Sequence, residues 1–283
     1  MLAGIADLEL VARIVVEGLV SGLHRSPFHG YSAEFSQYRH YRPGDDLKYV
    51  DWKLVARTDR IYTKQFRETT NMASAIVVDT SGSMNFSAAS GDVVTKHRYA
   101  VIAAAALAYL ISGQGDAVGL LAGGRFLAPR AGRQHLRGLL AALSSLTAAG
   151  GWSAADSIRR TAERLKRRGL LIVLSDFYDD EERTLVELRR AARMGHEIVL
   201  LQILSRDEIE LPYRRDLELE DLESGRTLAV STGLARRDYK DAVAAFLERW
   251  HSRAGAEGFQ YSLIVTDTPP DRALRNVLLA RKR

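Results

Sequence analysis

The hydrophobic texture of the chain changes near residue 72, and most of the predicted architecture follows from that change. Beyond it, short apolar runs alternate with longer stretches of helical period. Ala75–Val78 (AIVV), Leu170–Ser175 (LLIVLS), EIVLLQIL from Glu197 and FQYSLIVT from Phe259 read as strands. His97–Ser112 reads as a helix that is apolar nearly all round, so neighbours must cover it on most sides. Gln134–Leu146, Ala154–Arg168, Glu181–Met194, Asp238–Arg253 and Asp271–Ala280 read as amphipathic helices, with Gly169 as a C-terminal cap and Val243, Phe246, Leu247 and Trp250 facing inward. Gly123-Gly124, between Ala117–Ala122 and Arg125–Ala128, is a hairpin signal. A second, polar-faced hairpin is expected over Leu217–Leu222 and Thr227–Val230, around Ser224-Gly225. Strands alternating with helices of this length predict an α/β fold: a doubly wound, mostly parallel sheet with one antiparallel edge strand.

Residues 1–72 have a different pattern and are read as an N-terminal α+β extension to an α/β domain spanning 73–283, which carries a hairpin insertion near 208–232. Asp7–Gly18 predicts a helix with Leu8, Val11, Ile14 and Val15 on one face. Pro43-Gly44 predicts a turn, after which Asp45 or Asp46 caps a short helix with Leu47, Val50 and Leu54 inward and Trp52 in the core. RIYTKQFRE, from Arg60, alternates like an edge strand.

Composition narrows the class. A chain of 283 residues, 46% of them hydrophobic, can bury a full core. It has no cysteine, which excludes disulfides and thiolate metal sites and fits a reducing compartment. Asp7, Glu9 and Arg13 interrupt the apolar N-terminus, which argues against a signal peptide. The longest apolar run, Tyr99–Ile111, falls short of the ~20 residues that span a bilayer, so a soluble, cytoplasmic protein is expected. The net charge of +5 comes from 40 basic and 35 acidic residues mixed along the chain, the pattern of solvated surfaces. Nucleic acid is therefore not the expected partner.

The candidate chemistry lies at strand ends. In open α/β sheets, ligands bind outside the carboxyl ends of the strands. Asp79 ends one apolar run and Asp176 follows another, while Ser81 and Ser83 follow Asp79 in DTSGSM. Carboxylates and hydroxyls at one rim form an all-oxygen site suited to Mg²⁺ or Mn²⁺. No histidine has useful spacing to these acids, so zinc is not expected. The competing structural role is local: Asp79 as a loop cap and the serines as partners of backbone amides. A hydrolase is the rival function, yet TSGSM lacks the first glycine of G-x-S-x-G, and no phosphate-binding G-x-x-x-x-G-K-[ST] loop exists.

DTSGSM resembles the D-x-S-x-S string of the metal-ion-dependent adhesion site in von Willebrand factor A domains. That resemblance implies metal ligation by Asp79, Ser81 and Ser83, with Asp176 from a third loop. A longer stretch, EFSQYRHYRPGDDLKYVDWKLVARTDRIYTKQF followed by VVDTSGSM, is similar to the bacterial family called domain of unknown function 58. Arg39, Tyr41, Pro43, Gly44, Asp45, Asp46, Asp51, Trp52, Ala56 and Arg57 fill its signature. The resemblance implies a protein-interaction module rather than an enzyme. It also implies work beside MoxR-type AAA+ ATPases in assembling or maturing other proteins, with an acidic residue of a partner completing the metal shell. The extension, through Arg39, Arg42, Asp45 and Asp46, either docks on the A-like domain or faces a partner. The second metal loop of A domains usually supplies a threonine. Here it reads GGWSAADSI, which places Trp152 at that position, as a partner contact or a core residue. Either Ser153 or water then takes the place of the threonine hydroxyl, and water is the expectation.

Overall fold

The computed structural model describes residues 2–20, 33–43, 45–46, 49–68, 72–87, 94–213, 217–220, 222–223, 225–230 and 232–280. In chain order the elements are α1 (Leu2–Val20), β1 (Ala33–His40), α2 (Trp52–Thr58), β2 (Tyr62–Glu68) and β3 (Ala73–Val78). A 3-10 turn at Gly82–Asn85 leads to α3 (Lys96–Gly113), β4 (Ala117–Ala122), β5 (Arg125–Arg130), α4 (Arg133–Ser144), α5 (Ala154–Arg164) and β6 (Gly169–Ser175). Then follow α6 (Glu181–Arg193), β7 (Glu197–Leu204), α7 (Arg206–Glu210), β8 (Leu217–Glu220), β9 (Thr227–Val230), α8 (Thr232–Ala256), β10 (Gln260–Val265) and α9 (Pro270–Ala280).

Six strands form one sheet in the order β10-β7-β6-β3-β4-β5. Every neighbouring pair is parallel except β4–β5, whose turn places Gly123 and Gly124 at φ 53° and 72°. Only glycine enters that left-handed region without steric cost, which is why this pair closes the hairpin. The chain builds outward from β3 in one direction and from β6 in the other. The reversal of strand order, where α/β sheets open a crevice, therefore lies between β3 and β6.

Alternation along β3 separates two cores. Ile76 and Val78 pack with α1, α3, α4 and α9 residues such as Leu8, Leu107, Leu139 and Leu274. Ala75 and Val77 pack on the opposite face with Ile158, Leu185 and Trp250 from α5, α6 and α8. This two-sided burial is the reason the central strands β3, β4 and β6 are almost wholly apolar, while the edge strands β5 and β10 carry polar residues. The fold is α/β, a six-stranded, mostly parallel sheet with β5 as the antiparallel edge.

Several expectations need correction. The buried stripe of α1 is Leu8, Ala12, Val15, Val16 and Leu19, while Ile14 is 56% exposed, because α3 and α9 meet the helix on a face rotated from the one expected. Asp51, rather than Asp45 or Asp46, caps α2, accepting from the backbone amides of Lys53 and Leu54 at 3.1 and 3.2 Å. Trp52 is 62% exposed at the first position of that helix, so it is not a core residue. Val50 is buried and Leu54 half-buried, while Leu47 lies outside the described residues. β2 pairs with β1, a strand hidden in mixed polar sequence, in a separate two-stranded sheet. Gly169 does not cap a helix: α5 stops at Arg164 and Gly169 opens β6. A Cβ at Gly169 would stand 2.0 Å from the Ala73 carbonyl oxygen, so close strand pairing requires the glycine. Among the described residues, no helix is long and apolar enough to cross a membrane.

Candidate metal centre at the switch point of the sheet

Asp79 extends β3 by donating its backbone N–H to the Leu174 carbonyl at 2.9 Å, which holds its carboxyl at the β3–β6 crevice. Both carboxyl oxygens are engaged. Oδ1 accepts from the Ser81 amide at 2.7 Å and Oδ2 from the Ser175 hydroxyl at 2.5 Å. Asp79 therefore shapes the DTSGSM loop as well as facing the rim. Burial, and secondarily the nearby Asp176 charge, push its pKa from 3.8 up to about 7, against the pull of its hydrogen bonds.

The loop bends so that Ser81 Oγ stands 2.9 Å from Ser83 Oγ, and Ser83 Oγ donates to Asp176 Oδ2 at 2.8 Å. Three oxygens from two distant segments thus lie in a connected run. Asp176 is fixed from several sides. Its Oδ1 accepts from the Tyr178 amide at 3.1 Å, and its backbone carbonyl accepts from Gln202 Nε2 at 2.8 Å. Tyr261 in turn donates to Gln202 Oε1 at 2.6 Å. The next residue, Phe177, has φ 58°, a conformation that costs a non-glycine residue about 1–2 kcal/mol. Phe177 is buried, and its ring lies 4.8 Å from that of Trp250, so core packing holds the turn that presents Asp176.

The second loop closes on the first. Ala149 donates its amide to the Thr80 carbonyl at 2.9 Å, and Gly82 donates to the Gly150 carbonyl at 2.7 Å. Ser153 acts as the N-cap of α5, accepting from the Asp156 amide at 3.3 Å. Trp152 is half-buried and packs against the core beneath β3 and β6, the same core that Phe126 touches. The structure thus gives Trp152 a packing role and Ser153 a capping role at the loop that usually carries threonine.

Two further charged groups, Lys96 and Glu208, stand at the rim with no signal in the local sequence pattern that places them there. Lys96, the first residue of α3, is 0% exposed, and its ammonium lies 2.8 Å from Asp176 Oδ2 and 2.6 Å from Glu208 Oε1. The Tyr178 ring centroid is 5.2 Å from Nζ. Burial opposes the Lys96 charge, but Asp176 and Glu208 outweigh it and raise the pKa above its ordinary value. Glu208 also completes a capping box with Ser205 at α7. The spacing S-x-x-E was a readable signal for that box; no local pattern signalled its lysine partner.

The donor set suits a hard cation. All-oxygen donors of this kind are the ligands that Mg²⁺ and Mn²⁺ take, and along Ser81, Ser83 and Asp176 they are linked by hydrogen bonds of 2.9 and 2.8 Å. Among the described residues, no three His, Cys, Asp or Glu side chains converge to hold a metal. An ion here would need the hydroxyls as well as the carboxylates.

The remaining candidate residues sit in the extension. Arg39 Nη2 grips Asp45 at 2.7 and 2.9 Å, and the Arg42 amide and the Thr63 hydroxyl also donate to Asp45. The Arg42 amide first, and then Arg39, hold the Asp45 pKa below its ordinary value. Tyr38 donates to Asp51 at 2.8 Å. The side chains of Arg42 and Asp46 are exposed. The signature thus braces a small β-sheet and a helix, and the rim groups belong to the α/β domain.

The sequence profile of the family described as "Protein of unknown function DUF58" matches residues 37–248. "Uncharacterized protein Rv1480" of Mycobacterium tuberculosis is 32% identical over 254 residues, covering 86% of this chain and 78% of that protein. Among solved structures, the conserved hypothetical protein BatB from Bacteroides thetaiotaomicron is 14% identical with a TM-score of 0.48, over 75% of this chain and 98% of that one. A von Willebrand factor type A protein from Catenulispora acidiphila is 12% identical with a TM-score of 0.36, over 91% of this chain and 50% of that one. By the span of the profile and the identity to the mycobacterial protein, the chain belongs to the DUF58 family.

Proposed function

We propose that this chain is a metal-dependent protein-interaction module. Ser81, Ser83 and Asp176 would hold Mg²⁺ or Mn²⁺, with Asp79 ordering the loop and contributing charge. The observation that carries this reading is the gathering of hydroxyl and carboxylate oxygens from two distant loops, Ser81, Ser83 and Asp176, at one crevice, a donor set suited to a small hard ion. Two hydroxyls are neutral ligands, and Lys96 already draws on Asp176. A bound divalent ion would thus keep unsatisfied positive charge, and an Asp or Glu of a partner protein is the ligand suited to it. The metal's contribution is a strong, directional bond.

We further propose, from the family resemblance, that the partner system is a MoxR-type AAA+ ATPase acting in complex assembly or maturation in the cytoplasm. Ligation, not turnover, is the proposed chemistry. The test is capture of partners by the purified chain in Mg²⁺, in EDTA and with Asp79→Ala. Partners should be retained in Mg²⁺, released by chelation and lost with the variant. A complex indifferent to both EDTA and Asp79→Ala would place the interface elsewhere, and nucleotide hydrolysis abolished by Ser81→Ala would restore the hydrolase reading.

A further inference from the structure

The buried ammonium of Lys96 poses a question that metal ligation alone leaves open. A lysine with no solvent access is costly unless it is paired. Here it is paired twice, with Asp176 at 2.8 Å and Glu208 at 2.6 Å, acids that follow the neighbouring parallel strands β6 and β7. The oxygen it takes on Asp176 is Oδ2, the same atom that accepts from Ser83. The cation built into the chain and the metal proposed above would therefore draw on one carboxylate oxygen.

We propose that Lys96 is a tethered cation that competes with the metal for Asp176, and that Glu208 sets the strength of that competition by sharing the ammonium. This rests on the metal-centre reading of the preceding subsection. Its consequence is a centre held deliberately short of negative charge. Lys96 weakens the hold on the ion and leaves the ion more receptive to an outside carboxylate. Glu208 acts in the opposite sense, because each share of the ammonium it takes is released from Asp176. Neither residue ligates the metal; both are positioning residues.

The two variants should therefore move metal affinity in opposite directions. Lys96→Met keeps side-chain length and removes the charge, so Mn²⁺ should bind roughly tenfold tighter, as expected when a charge a few ångströms from the ion is deleted. Glu208→Gln keeps a hydrogen-bond acceptor and the capping spacing. It leaves the ammonium largely to Asp176, so Mn²⁺ should bind several-fold more weakly. Titration calorimetry with Mn²⁺ on the full chain reads both, with thermal unfolding as a check on folding. A purely structural role for the triad predicts loosening of the rim, and so weaker binding, in both variants. Equal or weaker binding by Lys96→Met would overturn the proposal. Should that variant fail to fold, unchanged or tighter binding by Glu208→Gln would overturn it equally. Wild-type protein that takes up no Mn²⁺ would sink the metal centre and this inference together, whereas wild-type binding with variants moving in one direction would sink this inference alone.

Discussion

Gly82 and Leu222 meet backbone to backbone: a Cβ on Gly82 would fall 2.3 Å from the Leu222 carbonyl oxygen and 2.9 Å from its carbonyl carbon. The tip between β8 and β9 therefore rests directly on the serine loop of the candidate centre. No side chain fits between them, and a flexible partner atom cannot yield, because both groups are backbone. Gly82→Ala should thus destabilise the protein by about 1–3 kcal/mol, the usual cost of overpacking. It should also raise hydrogen exchange in β8–β9 as the tip is pushed away. Thermal unfolding and exchange check this, and an unchanged stability with an unchanged exchange pattern would contradict the contact.

Ser153 provides a second test, in the loop where threonine is usual. Its hydroxyl caps α5 by accepting from the Asp156 amide. Ser153→Ala should cost about 1 kcal/mol, the value of a lost N-cap. Mn²⁺ affinity should change little, since water is expected where threonine would stand. Loss of Mn²⁺ binding would instead make Ser153 a ligand.

The tryptophans separate surface from core. Trp52 is largely exposed, whereas Trp250 is 1% exposed and packed at a tilt against the Phe177 ring. Trp250→Ala should cost about 3–5 kcal/mol. It should also release the turn at Phe177 and so disturb Asp176. Trp52→Ala should stay within about 0.5 kcal/mol of wild type. Denaturant unfolding of the two variants distinguishes these outcomes, and a large loss for Trp52→Ala would mean that its indole is covered in solution.

Acid sensitivity should include a contribution from His196, whose pKa burial lowers from 6.5. With a lowered folded pKa, the unfolded chain binds the proton first. Stability is then complete above the unfolded value and is lost as pH falls through 6.5 toward the folded pKa. His97 is shifted in the same direction by burial. Unfolding measured from pH 8 to pH 5 should show a shallower decline for His196→Leu than for wild type; parallel curves would exclude the contribution.

Much of the α/β domain was legible from local pattern alone. Apolar runs buried on both faces carry their own signature, so β3, β6 and β7 stood out, and Gly123-Gly124 announced the antiparallel edge. The positions of Asp79 and Asp176 at strand ends followed from the same runs. The extension was less readable, because its strands β1 and β2 are polar and mixed in sequence and pair with each other outside the main sheet. There the Pro43-Gly44 turn points to Asp45 or Asp46 as the cap, but Arg39 holds Asp45 and the cap falls to Asp51.

The sequence by itself determined which groups could stand at the rim, because strand periodicity and the carboxyl-end rule act over a few residues. Only the tertiary structure decided how those groups are charged and linked. Lys96 finds Asp176 and Glu208 at sequence separations of 80 and 112 residues, Ser175 finds Asp79 at 96, and Leu222 settles on Gly82. Such pairings are set by how α3, β6 and α7 converge on one crevice. No local period encodes them: a lysine at a helix start reads as solvated until the packing around it removes the water.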